Sequence, residues 1–119
     1  MKETRLPYCD LIFKETHAII VMNEGSEITV AIGEEITSSL EAHYKGRNFV
    51  FITHRKFPHK IDLKVYEGRI LKNMIGYAIV SDDPAEVNRA VEERPLWDQA
   101  FTFFRELEEA ENWARSFFD

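Results

Sequence analysis

Two histidines, one hydroxyl group and three basic side chains lie close together in the middle of the chain. These candidate binding residues are Thr53, His54, Arg55, Lys56, His59 and Lys60. Histidine titrates near neutral pH and is the commonest metal ligand, so these two could exchange protons with a substrate or bind a metal. The basic side chains could bind an anion or an acidic partner. The stretch is therefore typical of a binding site, with a small hydrolase-type enzyme using His54 or His59 as the alternative.

The elements on either side of this stretch would place it at the edge of a sheet. An apolar run, Phe49-Val50-Phe51-Ile52, predicts a buried strand, and Asp62 can begin a helix. Ligands and partners of open α/β sheets gather at the carboxyl ends of strands. We therefore predict that Thr53 to Lys60 contacts an unknown protein partner or a small anionic ligand. The alternative is a solvated basic surface without function.

No pattern for catalysis or cofactor binding accompanies these residues. Zinc needs three or four ligands, whereas Cys9, His17 and His43 lie on other predicted elements without a paired spacing. No hydroxyl or thiol lies in a nucleophile elbow, and the five glycines are too scattered to form a phosphate-binding loop. We predict a protein that is not an enzyme and has no catalytic residue, metal or cofactor.

Composition predicts one globular domain over residues 1–119. Nine Phe, four Tyr and two Trp supply a core, and the lone Cys9 cannot form an internal disulfide. The N-terminus has no apolar segment of the kind found in secretion signals or membrane spans, so we expect a cytoplasmic protein without a membrane span.

The charges are unevenly distributed along the chain. The net charge of −6 argues against nucleic-acid binding, which depends on neutralising phosphates. Residues 42–61 nevertheless contain five basic residues and no Asp or Glu. This asymmetry supports the predicted contact with an acidic partner or an anion.

Hydrophobic periodicity predicts the element order ββαβαβαβα. Runs at Tyr8 to Lys14 and His17 to Asn23 predict an antiparallel hairpin. A helix follows from about Thr29 and ends at Gly46, with an apolar stripe of Ile32, Ile36, Leu40 and Tyr44. After the central strand, we predict a helix from Asp62 with Leu63, Tyr66, Ile70 and Met74 on its apolar face. Three successive strand-helix units then require a mostly parallel sheet.

The C-terminal half contains the clearest helix start. In Asp83-Pro84-Ala85-Glu86, Asp caps the helix and Glu reaches back; the apolar side is Val87, Ala90 and Val91, and Pro95 marks its end. A strand at Ala100 to Phe104 and a helix from Glu106 to Phe118 complete the order. The last helix should bury Leu107, Ala110, Ala114 and Phe117. Phe117 and Phe118 cannot both point inward, so one should be exposed and able to seed a homodimer.

Several short motifs together resemble the SpoIIAA-like group of the STAS superfamily, in particular its short stand-alone STAS/SEC14-type bacterial proteins. They are Asn23-Glu24-Gly25, His43-Tyr44-Lys45-Gly46, Val50-Phe51-Ile52-Thr53-His54-Arg55, Ala78-Ile79-Val80-Ser81 and the segment from Phe104 to Trp113. The resemblance covers most of the chain. It implies a STAS-like α/β fold and a protein that acts through contacts with other proteins.

The resemblance also sets two functional expectations. Anti-sigma-factor antagonists of this superfamily carry a phosphorylatable Ser at the start of the helix after the central strand. Here the only hydroxyl between Ile52 and Asp62 is Thr53, so no such switch is evident. The SEC14 likeness implies a lipid-like ligand, but a chain of 119 residues is short for enclosing an acyl tail. We predict a non-catalytic binding or regulatory module, with a small anion- or lipid-like ligand as the alternative.

Overall fold

Alternating strands and helices form a layered α/β structure. A computed structural model describes residues 2–23, 25, 27–56, 60–61, 71–86, 88 and 100–118. The elements are β1 (Lys2–Leu6), β2 (Cys9–Phe13), β3 (His17–Met22), β4 (Glu27–Ile28), α1 (Val30–Tyr44), β5 (Phe49–His54), β6 (Lys60–Ile61), β7 (Met74–Val80), β8 (Ala100–Phe104) and α2 (Leu107–Ser116).

Six of the strands form one mixed sheet in the order β1-β2-β3-β5-β7-β8. The β2–β3 hairpin is antiparallel and pairs Cys9 with Met22, whereas β3, β5, β7 and β8 are parallel to one another. The predicted mostly parallel sheet with an N-terminal hairpin is therefore confirmed. Strand β1, which extends the hairpin by pairing with β2, was not predicted because four of its five residues are charged or polar and it has no apolar run.

Helix α1 begins and ends where its capping residues predict. Thr29 has an extended backbone, and its Oγ1 accepts a hydrogen bond from the Ile32 amide at 3.2 Å. At the other end Lys45 and Gly46 adopt the left-handed conformation, with φ of 49° and 86°. Glycine adopts that conformation without steric cost, which explains why the helix ends there.

The sheet buries both faces, as the continuous apolar run in β5 predicts. Phe49 and Phe51 pack with α1 on one face, while Val50 and Ile52 join the cluster beneath α2 on the other. The Tyr44 ring stacks on Phe49 with centroids 4.2 Å apart. These contacts fix both helices relative to the central strand.

Helix α2 packs closely against the start of β7. A Cβ added to Gly76 would lie 3.2 Å from the Trp113 ring, so the absent side chain lets the helix approach. Ala110 and Ala114 are fully buried as predicted, but Phe117 is 37% exposed. The prediction that Phe117 is buried was wrong in part: its ring packs on Trp113 and beside Gly76, but its position at the end of the helix leaves the rest of it exposed.

The remaining sequence predictions are partly corrected and partly confirmed, and some concern residues that the structure does not describe. Met74 begins β7 and does not belong to a helix. Short parallel strands β4 and β6 form a separate pair that was not predicted. Residues 84–86 are helical, in agreement with the predicted start at Asp83. The helix predicted from Asp62 and the end of the next helix at Pro95 lie outside the described residues.

Candidate functional site

Four of the candidate binding residues, 53–56, lie at the end of β5 or directly after it, at the carboxyl-end edge of the parallel strands. The Arg55 amide donates to the Val80 carbonyl at 2.8 Å, and the Ser81 amide donates to the Phe104 carbonyl at 3.0 Å. These bonds continue the ladder past the ends of the strands. The segments 54–56, 81–83 and 105–106 therefore lie side by side, and we call them the carboxyl edge.

Arg55 is buried in an ion pair beneath this edge. One of its terminal nitrogens donates to Glu86 Oε2 at 3.0 Å, and the two side chains are 1% and 3% exposed. The predicted role of Arg55 as a surface charge therefore needs a correction. The guanidinium has its charge matched internally, so it joins β5 to the helical turn after β7 and does not face a partner.

Thr53 is also buried, at 2% exposure. Its Oγ1 donates to the Tyr77 hydroxyl at 3.0 Å, and the Tyr77 ring stacks on Phe101 with centroids 5.3 Å apart. A hydroxyl in this position is not accessible to a kinase in the folded protein.

His54 and Lys56 are the predicted residues that reach the surface of the carboxyl edge. His54 is half-buried, whereas Lys56 and nearby Asp82 are exposed. Burial lowers the pKa of His54 below its ordinary value, and the positive charge of Lys56 adds to the effect against the opposing influence of Asp82. His54 is therefore a neutral hydrogen-bonding group at pH 7, beside charges of both signs.

The basic stretch of the sequence is divided between the two edges of the sheet. Lys45 and Arg47 precede β5 and Lys56 follows it, and a strand of six residues is about 20 Å long. Lys60 lies in β6, where its backbone pairs with β4. The side chain of Lys60 and the whole of His59 lie outside the described residues. The five positive charges therefore do not form one surface.

Of the acidic pair Asp82 and Asp83, the second is accounted for by capping. Asp83 Oδ1 accepts from the Ala85 amide at 3.0 Å, and the Asp83 amide donates to Ser81 Oγ at 3.1 Å. Asp83 thus begins the helical turn as predicted. Within the described parts of the chain, no three His, Cys, Asp or Glu side chains are grouped as a metal site would need.

Sequence reasoning missed a buried charged cluster at the opposite edge. His17 is 1% exposed, and its Nε2 lies 3.0 Å from Glu111 Oε2. The same carboxylate accepts from Lys14 Nζ at 2.8 Å and from Arg115 at 3.3 Å. The cluster joins α2 to the β2–β3 hairpin. Its only sequence signal was an acid in the middle of the helix, facing the sheet beside Ala110 and Ala114.

The same cluster has the order of groups found in nucleophilic relays. Thr16 Oγ1 lies 2.7 Å from His17 Nδ1, so a hydroxyl, an imidazole and a carboxylate follow one another. Burial, however, lowers the pKa of His17 despite its bond to Glu111, which makes the imidazole a weak base. Burial alone would raise the pKa of Glu111, but hydrogen bonds from Lys14 and His17 bring it below its ordinary value. The arrangement favours a structural tether.

The other candidate nucleophile, Cys9, is fully buried in the core. Burial raises the pKa of its thiol to about 12, so almost none of it is thiolate near neutral pH. The His43 ring is stacked on the Phe13 ring, with centroids 4.4 Å apart. These residues therefore contribute to packing.

We predict that acid weakens the fold through two of its histidines, His17 and His54. The pKa values of His17 and His54 lie below 6.5 in the folded protein, so the unfolded chain binds more protons as the pH falls through 6.5. Their contribution to the free energy of unfolding is complete above that pH and is lost progressively below it. Urea unfolding measured between pH 7.5 and pH 5 should show this decline in the free energy of unfolding. The full loss is about 1.4 kcal/mol for each unit by which the pKa in the folded protein lies below the pKa in the unfolded chain.

Replacing His17 with Gln should make this decline smaller, and His54→Gln should do the same through the other edge. An NMR titration of the His17 imidazole provides a direct control, because its midpoint should lie below 6.5. An identical pH dependence in wild type and both variants would refute the prediction.

The fold is SpoIIAA-like. The chain is similar in structure to an uncharacterized protein from the DUF3478 family with a SpoIIAA-like fold, from Shewanella loihica PV-4. The TM-score is 0.60 at 15% sequence identity, over 89% of this chain and 91% of the other. No protein-family model and no curated protein sequence matches the chain.

This likeness confirms the predicted fold. At 15% identity it carries no information about ligands or partners. None of the helices within the described residues is long and apolar enough to cross a membrane.

Proposed function

We propose that the protein is a non-catalytic, cytoplasmic binding or regulatory module whose partner contacts the carboxyl edge. The observation that carries this proposal is the difference in burial among the residues at the end of β5 and directly after it. Thr53 and Arg55 are buried in hydrogen bonds, whereas Lys56 is exposed and His54 is half-buried. A rigid base beneath a small polar surface is the arrangement that binding sites use to avoid ordering costs.

The partner of this edge should present mixed charge. Lys56 and Arg105 supply positive charge on the exposed surface, and Asp82 and Glu106 supply negative charge. The neutral His54 imidazole lies beside them and can donate or accept a hydrogen bond. A protein surface with complementary charges fits this pattern better than a simple anion, which needs an excess of positive charge.

An affinity pull-down from the native cytoplasm tests the proposal. Wild type should retain a partner that Lys56→Glu loses, because the reversed charge repels the complementary group. Lys72→Glu is the matched control, since it makes the same change at an exposed position near the start of β7. Arg55→Glu is unsuitable for this purpose, because it would place two carboxylates together in the interior.

Retention of the same partner by wild type and Lys56→Glu would contradict the proposed surface. A pH-dependent turnover lost on His54→Ala would instead support the enzyme alternative. Both variants should first be shown to unfold with the wild-type transition apart from small surface effects.

A further inference from the structure

The second edge of the parallel sheet gathers segments that are distant in sequence. The Val50 amide donates to the Thr16 carbonyl at 3.0 Å, which joins the turn before β3 to the start of β5. The Asn73 side chain donates to the Arg47 carbonyl at 2.8 Å, which joins the turn before β7 to the same place. Segments 14–16, 45–48 and 71–73 therefore form one surface, which we call the amino edge.

The end of α2 completes the amino edge. The Phe117 ring lies 3.4 Å from where a Cβ of Gly76 would stand, next to the start of β7. It also meets the Trp113 ring edge-on, with centroids 4.9 Å apart. Arg115 reaches Glu111, which holds Lys14 of the hairpin. Residues 115–118 thus belong to this surface.

Positive charge predominates on the amino edge. Its segments contain five basic residues and one exposed acid, Glu15. Lys14 and Arg115 share the buried Glu111 carboxylate, which leaves three exposed basic residues, namely Lys45, Arg47 and Lys72. The Arg47 guanidinium is held 5.7 Å above the Tyr44 ring. The amino edge is therefore cationic, in contrast to the mixed charge of the carboxyl edge and to the net charge of −6.

Two exposed aromatic side chains lie within this cationic surface. Phe117 is 37% exposed and Phe118 is 41% exposed. Within the described residues, the remaining exposed large apolar side chain is Val30, at the start of α1. Two adjacent exposed phenylalanines on a surface that also carries Lys and Arg are the combination that lets a protein enter the headgroup region of a bilayer.

We propose that the amino edge docks on a membrane surface that carries anionic lipids. The basic side chains would contact the headgroups, and Phe118 with the exposed part of Phe117 would enter the boundary with the acyl chains. Glu34 and Glu35 in the first half of α1 and Glu108 and Glu109 at the start of α2 lie outside this edge, whereas the exposed Glu41 in the last turn of α1 lies beside it and offsets one of its positive charges. The resulting charge asymmetry orients the molecule with the amino edge toward the bilayer and leaves the carboxyl edge free. The proposal is independent of the proposed function, because it uses the opposite edge.

Co-sedimentation with phosphatidylcholine vesicles, with and without phosphatidylserine, tests this docking. Wild type should bind only the vesicles that contain phosphatidylserine, and binding should weaken as salt is added. Lys72→Glu should weaken the apparent affinity about tenfold, and Phe118→Ser should weaken it while preserving the salt dependence. Lys56→Glu changes the net charge equally at the carboxyl edge and should bind like wild type.

Three other outcomes of these experiments would each overturn the proposal. Absence of wild-type binding to phosphatidylserine vesicles would do so, and equal losses in Lys56→Glu and Lys72→Glu would show a non-specific response to net charge. An acidic protein retained through Lys72 and Phe118, without vesicle binding, would assign the edge to a protein partner instead. Thermal unfolding of Phe118→Ser checks that its loss of binding does not reflect loss of the fold.

Discussion

Glu86→Leu should destabilise the protein by about 3–5 kcal/mol, the largest effect we expect from a single polar substitution. The change removes the carboxylate that faces Arg55 at 3.0 Å, where the two side chains are 1% and 3% exposed. The guanidinium cannot lose its proton and cannot reach solvent without moving the end of β5. Chemical denaturation followed by circular dichroism should show the loss as a lower midpoint.

The double variant Arg55→Met, Glu86→Leu distinguishes two causes of the lost stability. One is the loss of the ion pair itself, and the other is the cost of a buried guanidinium that has lost the Glu86 carboxylate. Because two apolar side chains of similar size leave no buried charge, this variant should recover most of the stability lost in Glu86→Leu. Additive losses in the double variant would contradict the explanation. They would indicate that each side chain acts through separate contacts.

Glu111→Ala should cost about 2–3 kcal/mol, because one carboxylate is shared by three donors. His17 is buried with its Nε2 at 3.0 Å from Glu111, so it would lose its partner on α2 with little access to water. Lys14 is partly exposed and can turn to solvent, so its share of the loss is small. The free energy of unfolding in urea measures the total.

Glu109→Ala is the matched control for this prediction. Glu109 is exposed on the same helix, so its replacement should change stability by less than about 0.5 kcal/mol. Equal effects of the two substitutions would show that Glu111 contributes as a surface residue of the helix. Hydrogen exchange of the α2 amides should also rise in Glu111→Ala, since the tether joins this helix to the hairpin.

The fold was largely predictable because its elements carry local signals. The apolar stripe and the Thr29 and Gly46 caps defined α1, and the continuous apolar run at 49–52 defined the buried central strand. These signals act within one or two turns of the chain. The short strands β4 and β6 were missed because pairs of two residues leave no periodicity to detect.

The site was predicted less well because its chemistry depends on partners distant in sequence. Arg55 pairs with Glu86, 31 residues away, and His17 pairs with Glu111, 94 residues away. Nothing in the local pattern distinguishes a buried arginine with a partner from an exposed one. The basic stretch at 42–61 was interpreted as one surface, although β5 separates its charges onto two edges.

This separation gives the SpoIIAA-like sheet two surfaces of different character. The carboxyl edge is polar and carries charges of both signs over a buried hydrogen-bonded base. The amino edge is cationic and includes exposed phenylalanines. Lys56→Glu and Lys72→Glu therefore report on one edge each, and the two proposals can fail independently.

The most direct measurement is photo-cross-linking in intact cells, with a photoreactive amino acid placed at position 82, which is exposed on the carboxyl edge and leaves Lys56 in place, or at position 72. The proposed function predicts a discrete protein adduct from position 82 at the carboxyl edge and no such adduct from position 72. The position 82 adduct should disappear when an excess of unlabelled wild type competes, and it should persist when Lys56→Glu is the competitor. The same adduct from both positions, or a protein adduct from position 72 alone, would contradict the assignment of the partner to the carboxyl edge.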